Sequence, residues 1–141
     1  MADNLIDRSS CAALVITCSD FRFKSVERAF LEQHGLRDDY DLIARPGAIR
    51  ALVEPRSEAA RTTMEEEIRL LLSLHAFSRA LLVNHMSCRA YDDLTAGADE
   101  RAVHRDHLRR AAAAFGTLFP GVAAEPYLIE IEGTTLVVRH V

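Results

Sequence analysis

The sequence predicts an α/β fold: a mostly parallel central sheet flanked by helices, with a C-terminal hairpin. Three observations point there. Strand-like and helix-like segments alternate along the first part of the chain, which fits parallel strands joined by helical crossovers. The first strand-like run is apolar throughout rather than alternating, as strands buried on both faces read. Two further strand-like runs near the end are separated only by Glu132-Gly133, which is hairpin spacing. With 141 residues the chain is long enough for one packed core. It reads as one α/β domain over residues 1–141, with a loose polar arm at 1–10.

The elements follow in order. Ala12 to Thr17 (AALVIT) reads as a buried strand, with Ser19 to Phe23 as the loop after it. Lys24 to His34 carries Val26, Ala29, Phe30 and Gln33 at helical spacing, and Gly35 is placed to cap that helix. Tyr40 to Ala44 reads as the second strand, closed by Arg45-Pro46-Gly47-Ala48; Glu54-Pro55 marks the next break. Glu58 to His75 reads as a long helix with an apolar face of Met64, Ile68, Leu71, Leu72 and Leu74. Thr63 and Glu66 have capping-box spacing within it. Arg79 to Asn84 is the third strand, Ala102 to Phe115 the last helix, and Phe119-Pro120-Gly121 its end. The hairpin strands are Tyr127 to Ile131 and Thr134 to Val138.

Composition narrows the function classes. There are 17 basic and 21 acidic residues, a net charge of −4, and no basic tract long enough for a nucleic-acid patch. The arginines between Arg101 and Arg110 are interleaved with Glu100, Asp106, His104 and His107, which reads as a solvated helix face. No segment has the length of a membrane span, and the polar opening has no signal-peptide pattern, so the expected location is cytoplasmic. Three cysteines are too few for a disulfide scaffold, and reduced thiols suit a metal site.

The chemistry concentrates at two strand ends. Leu14 to Arg22 (LVITCSDFR) stops at Cys18, Asp20 and Arg22; Ala80 to Cys88 (ALLVNHMSC) stops at His85 and Cys88. Ligands of open parallel sheets bind beyond the carboxyl ends of the strands. That rule places Cys18 and His85 in one site although they are 67 positions apart. Two thiolates and one imidazole suit a zinc ion, with the fourth position open to water or closed by Asp20. Arg22 is placed to pair with Asp20, holding the carboxylate off the metal. Phe21 and Phe23 read either as the lining of an apolar pocket or as core anchors. Arg45 is expected to pair with Asp41 or Glu54, and Glu65-Glu66-Glu67 to form a solvated acidic face. His75 reads as a helix-end residue. Cys11 precedes the first strand with no neighbouring ligand and stays outside the site.

At these residues the sequence resembles the β-class carbonic anhydrases. That family carries Cys-x-Asp-x-Arg after its first strand and His-x-x-Cys after a later one. Here they stand as Cys18-Ser19-Asp20-Phe21-Arg22 and His85-Met86-Ser87-Cys88. The Arg45-to-Ala48 turn and the closing YLIEIEGTTLVV are similar to family elements as well. The resemblance implies Zn2+ on Cys18, His85 and Cys88, with Asp20 and Arg22 as the catalytic dyad. It implies reversible hydration of a small neutral substrate, carbon dioxide, to bicarbonate by a zinc-bound hydroxide. It also implies a homodimer or higher homo-oligomer.

The sequence departs from the pattern at Asn84 and Arg89, where the family usually has glycine, and at Pro46, where it usually has asparagine. A hydrolase of carbonyl sulfide or carbon disulfide would use the same nucleophile in a different pocket. A non-catalytic, zinc-stabilised binding or structural oligomer is the third possibility.

Overall fold

The computed structural model describes residues 1–141. Five strands and five helices follow in the order β1 (Ala13–Thr17), α1 (Lys24–Gln33), β2 (Tyr40–Ala44), α2 (Arg50–Val53), α3 (Glu58–His75), β3 (Arg79–His85), α4 (Asp92–Thr95), α5 (Glu100–Leu118), β4 (Ala123–Glu132) and β5 (Thr135–His140). The sheet order is β2-β1-β3-β4-β5. Strands β1 to β4 are parallel, and β5 returns antiparallel to β4 as the expected hairpin. No helix is long and apolar enough to cross a membrane.

Strand β1 lies between β2 and β3, and all five of its residues are buried. Its side chains alternate between two cores. Leu14 and Ile16 join Leu82 and Leu128 under Met64 and Ile68 of α3 and Leu108, Ala111 and Phe115 of α5. Ala13 and Val15 join Leu81, Val83 and Ile129 under Phe30 and Leu31 of α1. Burial on both faces is why the run is apolar without alternation.

Local signals set most helix ends. The end of α1 is a Schellman motif: Leu36 N–H donates to Leu31 O at 2.9 Å and Gly35 N–H to Glu32 O at 3.0 Å. Gly35 takes φ +70°, which a side chain resists, and Leu36 is buried against Leu31. Helix α3 has the predicted bounds, but its cap is Ser57, whose Oγ accepts from Ala60 N–H at 3.1 Å. Thr63 and Glu66 lie within the helix, so their capping-box spacing caps nothing. Strand β4 begins at Ala123, four residues before the expected start. Pro126 weakens the strand signal there, yet pairing with β3 runs from Arg79↔Ala123 to His85↔Ile129. Helix α5 begins at Glu100, where Asp99 Oδ1 accepts from Ala102 N–H at 3.2 Å.

The expectation that His104 and His107 are solvated is corrected. Both are buried, His104 completely. His104 is in helical register with Leu108, Ala111 and Phe115, and His107 with Ala111, so both fall on or beside the face that packs on β3. A polar layer meets three of their four nitrogens, His104 Nε2 having no hydrogen-bond partner: Asn84 Nδ2 donates to Tyr91 Oη at 3.1 Å and lies 3.1 Å from His104 Nδ1. Tyr91 Oη lies 3.2 Å from His107 Nδ1, and His107 Nε2 lies 3.3 Å from Glu54 at the surface. The pairing of Arg45 is corrected as well. Its guanidinium pairs with Glu67 of α3, while Asp41 pairs with His75 and Glu54 with His107.

Two predictions follow from this packing. Leu82→Ala is expected to lower unfolding free energy in urea by about 2–5 kcal/mol, and Leu70→Ala, on the exposed face of α3, to change it by less than about 0.5 kcal/mol. Burial holds the His104 imidazole down to about 4 from its ordinary 6.5. Between those values the unfolded chain binds a proton that the folded chain refuses. Stability tied to His104 is therefore complete above pH 6.5 and lost as pH falls toward 4, with a slope of at most about 1.4 kcal/mol per pH unit. Urea midpoints measured from pH 7 to pH 5 should show a weaker decline in His104→Asn than in the parent.

Candidate metal centre

The carboxyl ends of β1 and β3 are neighbours because Thr17 and Val83 are in register. Cys18 follows Thr17 directly, and His85 lies two residues beyond Val83. Ser87, with φ +57°, turns the next loop so that Cys88 comes back toward Cys18. One donor atom from each of Cys18, His85 and Cys88 lies within 4.8 Å of the others, and the two Sγ atoms are 4.0 Å apart. All three side chains are buried.

The donor set fits zinc. His85 Nδ1–H donates to Met86 O at 2.8 Å, which leaves the lone pair on Nε2. That Nε2 is buried and has no hydrogen-bond partner, although a buried polar atom normally has one. The ring stacks on Phe23 at 3.9 Å and 25°, which fixes its plane. The Cys88 thiol, and after it the His85 ring, draw the Cys18 thiol down toward thiolate against the opposing effect of burial. Cys88 is pushed up in turn by its bond to Cys18 and by burial. Each thiol would give up its proton on ligating a cation. Tetrahedral zinc with bonds of about 2.3 Å to sulfur needs two thiolates somewhat under 4 Å apart, close to the spacing found.

Asp20 stands beside this group, its Oδ2 3.9 Å from His85 Nε2. Arg22 grips both carboxylate oxygens: Nη2 donates to Oδ2 at 2.6 Å, and Nε lies 3.1 Å from each oxygen. Asp20 Oδ1 also accepts from Arg22 N–H at 3.0 Å. The Arg22 hydrogen bonds hold the Asp20 carboxyl down to about 2, so it is ionised throughout the working range. Arg22 Nη2 donates to Ser87 O as well, at 2.9 Å, and so ties the two loops of the site together.

Other contacts fix the loops and were not legible in the sequence. Lys24 Nζ donates to Cys18 O at 2.6 Å and pairs with buried Glu27. Glu100 accepts from Cys88 N–H at 3.2 Å, and Met86 N–H donates to Ile129 O at 2.9 Å. Arg50 holds Ala90 O at 2.6 Å and pairs bidentately with Asp93. Gly47 takes φ +82°, and a Cβ there would sit 3.4 Å from that of Ala90. The two phenylalanines divide: Phe23 is buried against His85, whereas Phe21 projects into solvent. Arg89 is exposed and lies 3.8 Å from Asp92. Cys11, read as having no neighbouring ligand, instead lies beside Asp41 and His75 at the opposite end of the sheet.

Comparison with known proteins gives the architecture its place. The profile of the family described as "Putative carbonic anhydrase" matches residues 8–138. An uncharacterised protein of Rickettsia bellii is 28% identical over 137 residues, covering 93% of this chain and 84% of its own. A crystal structure of β-carbonic anhydrase isoform I from Trichomonas vaginalis superposes with a TM-score of 0.59 at 11% identity, covering 98% of this chain and 87% of that one. The apo form of a carbon disulfide hydrolase gives a TM-score of 0.56 at 15% identity, covering 89% of this chain and 76% of that one. These structures share the fold, a mostly parallel sheet flanked by helices and ended by an antiparallel hairpin. The profile match spans nearly the whole chain and, with the fold, makes it a diverged, short member of the β-carbonic-anhydrase-like family.

Proposed function

We propose that this protein catalyses the reversible hydration of carbon dioxide to bicarbonate with zinc held by Cys18, His85 and Cys88. The observation that carries this reading is the buried Cys-His-Cys cluster with an unpartnered imidazole nitrogen facing an Arg-locked carboxylate. Zinc bound there supplies Lewis-acid activation of water. Asp20 stays ionised and accepts a hydrogen bond at Oδ2, which orients the attacking water. Arg22 fixes the carboxylate through its bidentate grip and keeps it from swinging onto the metal. His85 keeps its tautomer through Met86 O, so its lone pair is always presented inward. Carbon dioxide gains one hydroxyl, and the remaining proton of the water leaves to buffer.

The resemblance to β-class enzymes supports a homodimer or higher oligomer as the working form. Exposed Leu42 and Leu70, which line one surface groove along the free edge of β2, are apolar surface that a second copy would cover. A second reading keeps the same residues and changes the substrate to carbonyl sulfide or carbon disulfide. It is favoured by the fold shared with a carbon disulfide hydrolase. A zinc-stabilised oligomer without activity is the third.

Stopped-flow hydration with the zinc-loaded protein distinguishes them. The first reading expects hydration of carbon dioxide faster than turnover of either sulfur compound; the reverse order selects the second, and no turnover selects the third. Asp20→Asn is expected to keep its zinc and lose about 10²–10⁴-fold in hydration rate, a span set by the loss of a positioned acid–base group. Cys88→Ser is expected to lower zinc content measured by elemental analysis; unchanged content would reject the ligand assignment.

A further inference from the structure

A second group of metal-ligating side chains sits at the opposite end of the sheet. Cys11 precedes β1, Asp41 is the second residue of β2, and His75 is the last residue of α3. One donor atom from each lies within 4.8 Å of the others. Seven residue steps along β1 separate Cys11 from Cys18, roughly 20 Å of extended chain, so the two clusters are independent. We propose that Cys11, Asp41 and His75 form a second binding site for a divalent cation of the zinc class.

The donor types select the cation. One thiol, one imidazole and one carboxylate suit a borderline-soft ion such as zinc, whereas magnesium and calcium take oxygen ligands. Three protein ligands leave a fourth tetrahedral position for water.

The backbone holds the three residues together before any ion arrives. Cys11 N–H donates to His75 O at 3.1 Å, joining the residue before β1 to the last residue of α3. Ala12 N–H donates to Asp39 O at 3.2 Å and to Asp39 Oδ1 at 3.0 Å, joining the same segment to the start of β2. The site is thus clamped at two of its three ligands by main-chain hydrogen bonds.

The local chemistry leaves room for the ion. His75 Nδ1 and Asp41 Oδ2 share a proton at 2.7 Å, and the Cys11 thiol donates to Ala13 O at 3.3 Å. An ion would displace the thiol proton and take the His75 Nδ1 lone pair with that ring's proton moved to Nε2, since ligands bind deprotonated. Tetrahedral zinc sets nitrogen and oxygen donors roughly 3.4 Å apart, so the pair need open by less than about 1 Å. The residues line a cleft of about 220 Å³ with Arg8, Ser10, Asp38 and Tyr40. Arg8, which also lines the cleft, is engaged by Asp39 at 2.7 Å.

The test is zinc stoichiometry. The full-length protein is equilibrated with zinc ions alone, and bound metal per chain is measured after dialysis. Cys11→Ser and His75→Gln are each expected to hold one equivalent fewer than the parent, whatever the parent holds at Cys18, His85 and Cys88. Variants that hold as much zinc as the parent overturn the proposal. A second measurement uses the parent chain and does not depend on variants folding. Alkylation of Cys11, followed by peptide mass spectrometry, is expected to slow at least tenfold when zinc is added. An unchanged rate at Cys11 contradicts the site.

Discussion

Two thiols and an imidazole nitrogen taken out of water together form the constraint on which the rest of the structure depends. A buried polar atom left without a partner costs on the order of 1–3 kcal/mol, and His85 Nε2 is such an atom. Cys18 and Cys88 bring two buried thiols to 4.0 Å from each other beside it. A divalent cation could satisfy all three at once, accepting the imidazole lone pair and the two sulfurs as ligands. The cluster is thus unfavourable for the bare chain and favourable for the metal-bound one, as folded metal sites are.

The sheet places these groups. Parallel pairing sets the carboxyl ends of β1 and β3 side by side, where the loops leading to α1 and to α4 and α5 begin. Those loops are then pinned from several elements: α1 through Lys24, α5 through Glu100, β4 through Ile129, and one another through Arg22 and Ser87. Asp20 shares in this rigidity, since its two oxygens are both held by one guanidinium. A carboxylate so fixed keeps one orientation beside the His85 imidazole.

The fold was legible where one signal dominated. The apolar run of β1 was read because both of its faces are covered, and α1 ended at Gly35 because only a left-handed turn completes that motif. Cys18, His85 and Cys88 were legible as a group because each follows a strand whose carboxyl end faces the same side. Failures came where tertiary context overrode local pattern. His104 and His107 were read as solvated because an imidazole looks polar, whereas their helical register puts them against β3, where Asn84 and Tyr91 meet them. The start of β4 was hidden by Pro126. Cys11 looked isolated because Asp41 and His75 reach it only through strand register and the end of α3. Glu100 gave no sign of its contact with Cys88, since nothing in a helix's first turn reports which loop lies above it.

The most direct measurement is an anomalous difference map from crystals of the zinc-loaded protein, recorded on both sides of the zinc absorption edge. The account predicts a peak within bonding distance of Cys18 Sγ, Cys88 Sγ and His85 Nε2, beyond the carboxyl ends of β1 and β3. A map with no peak between those three atoms would contradict it.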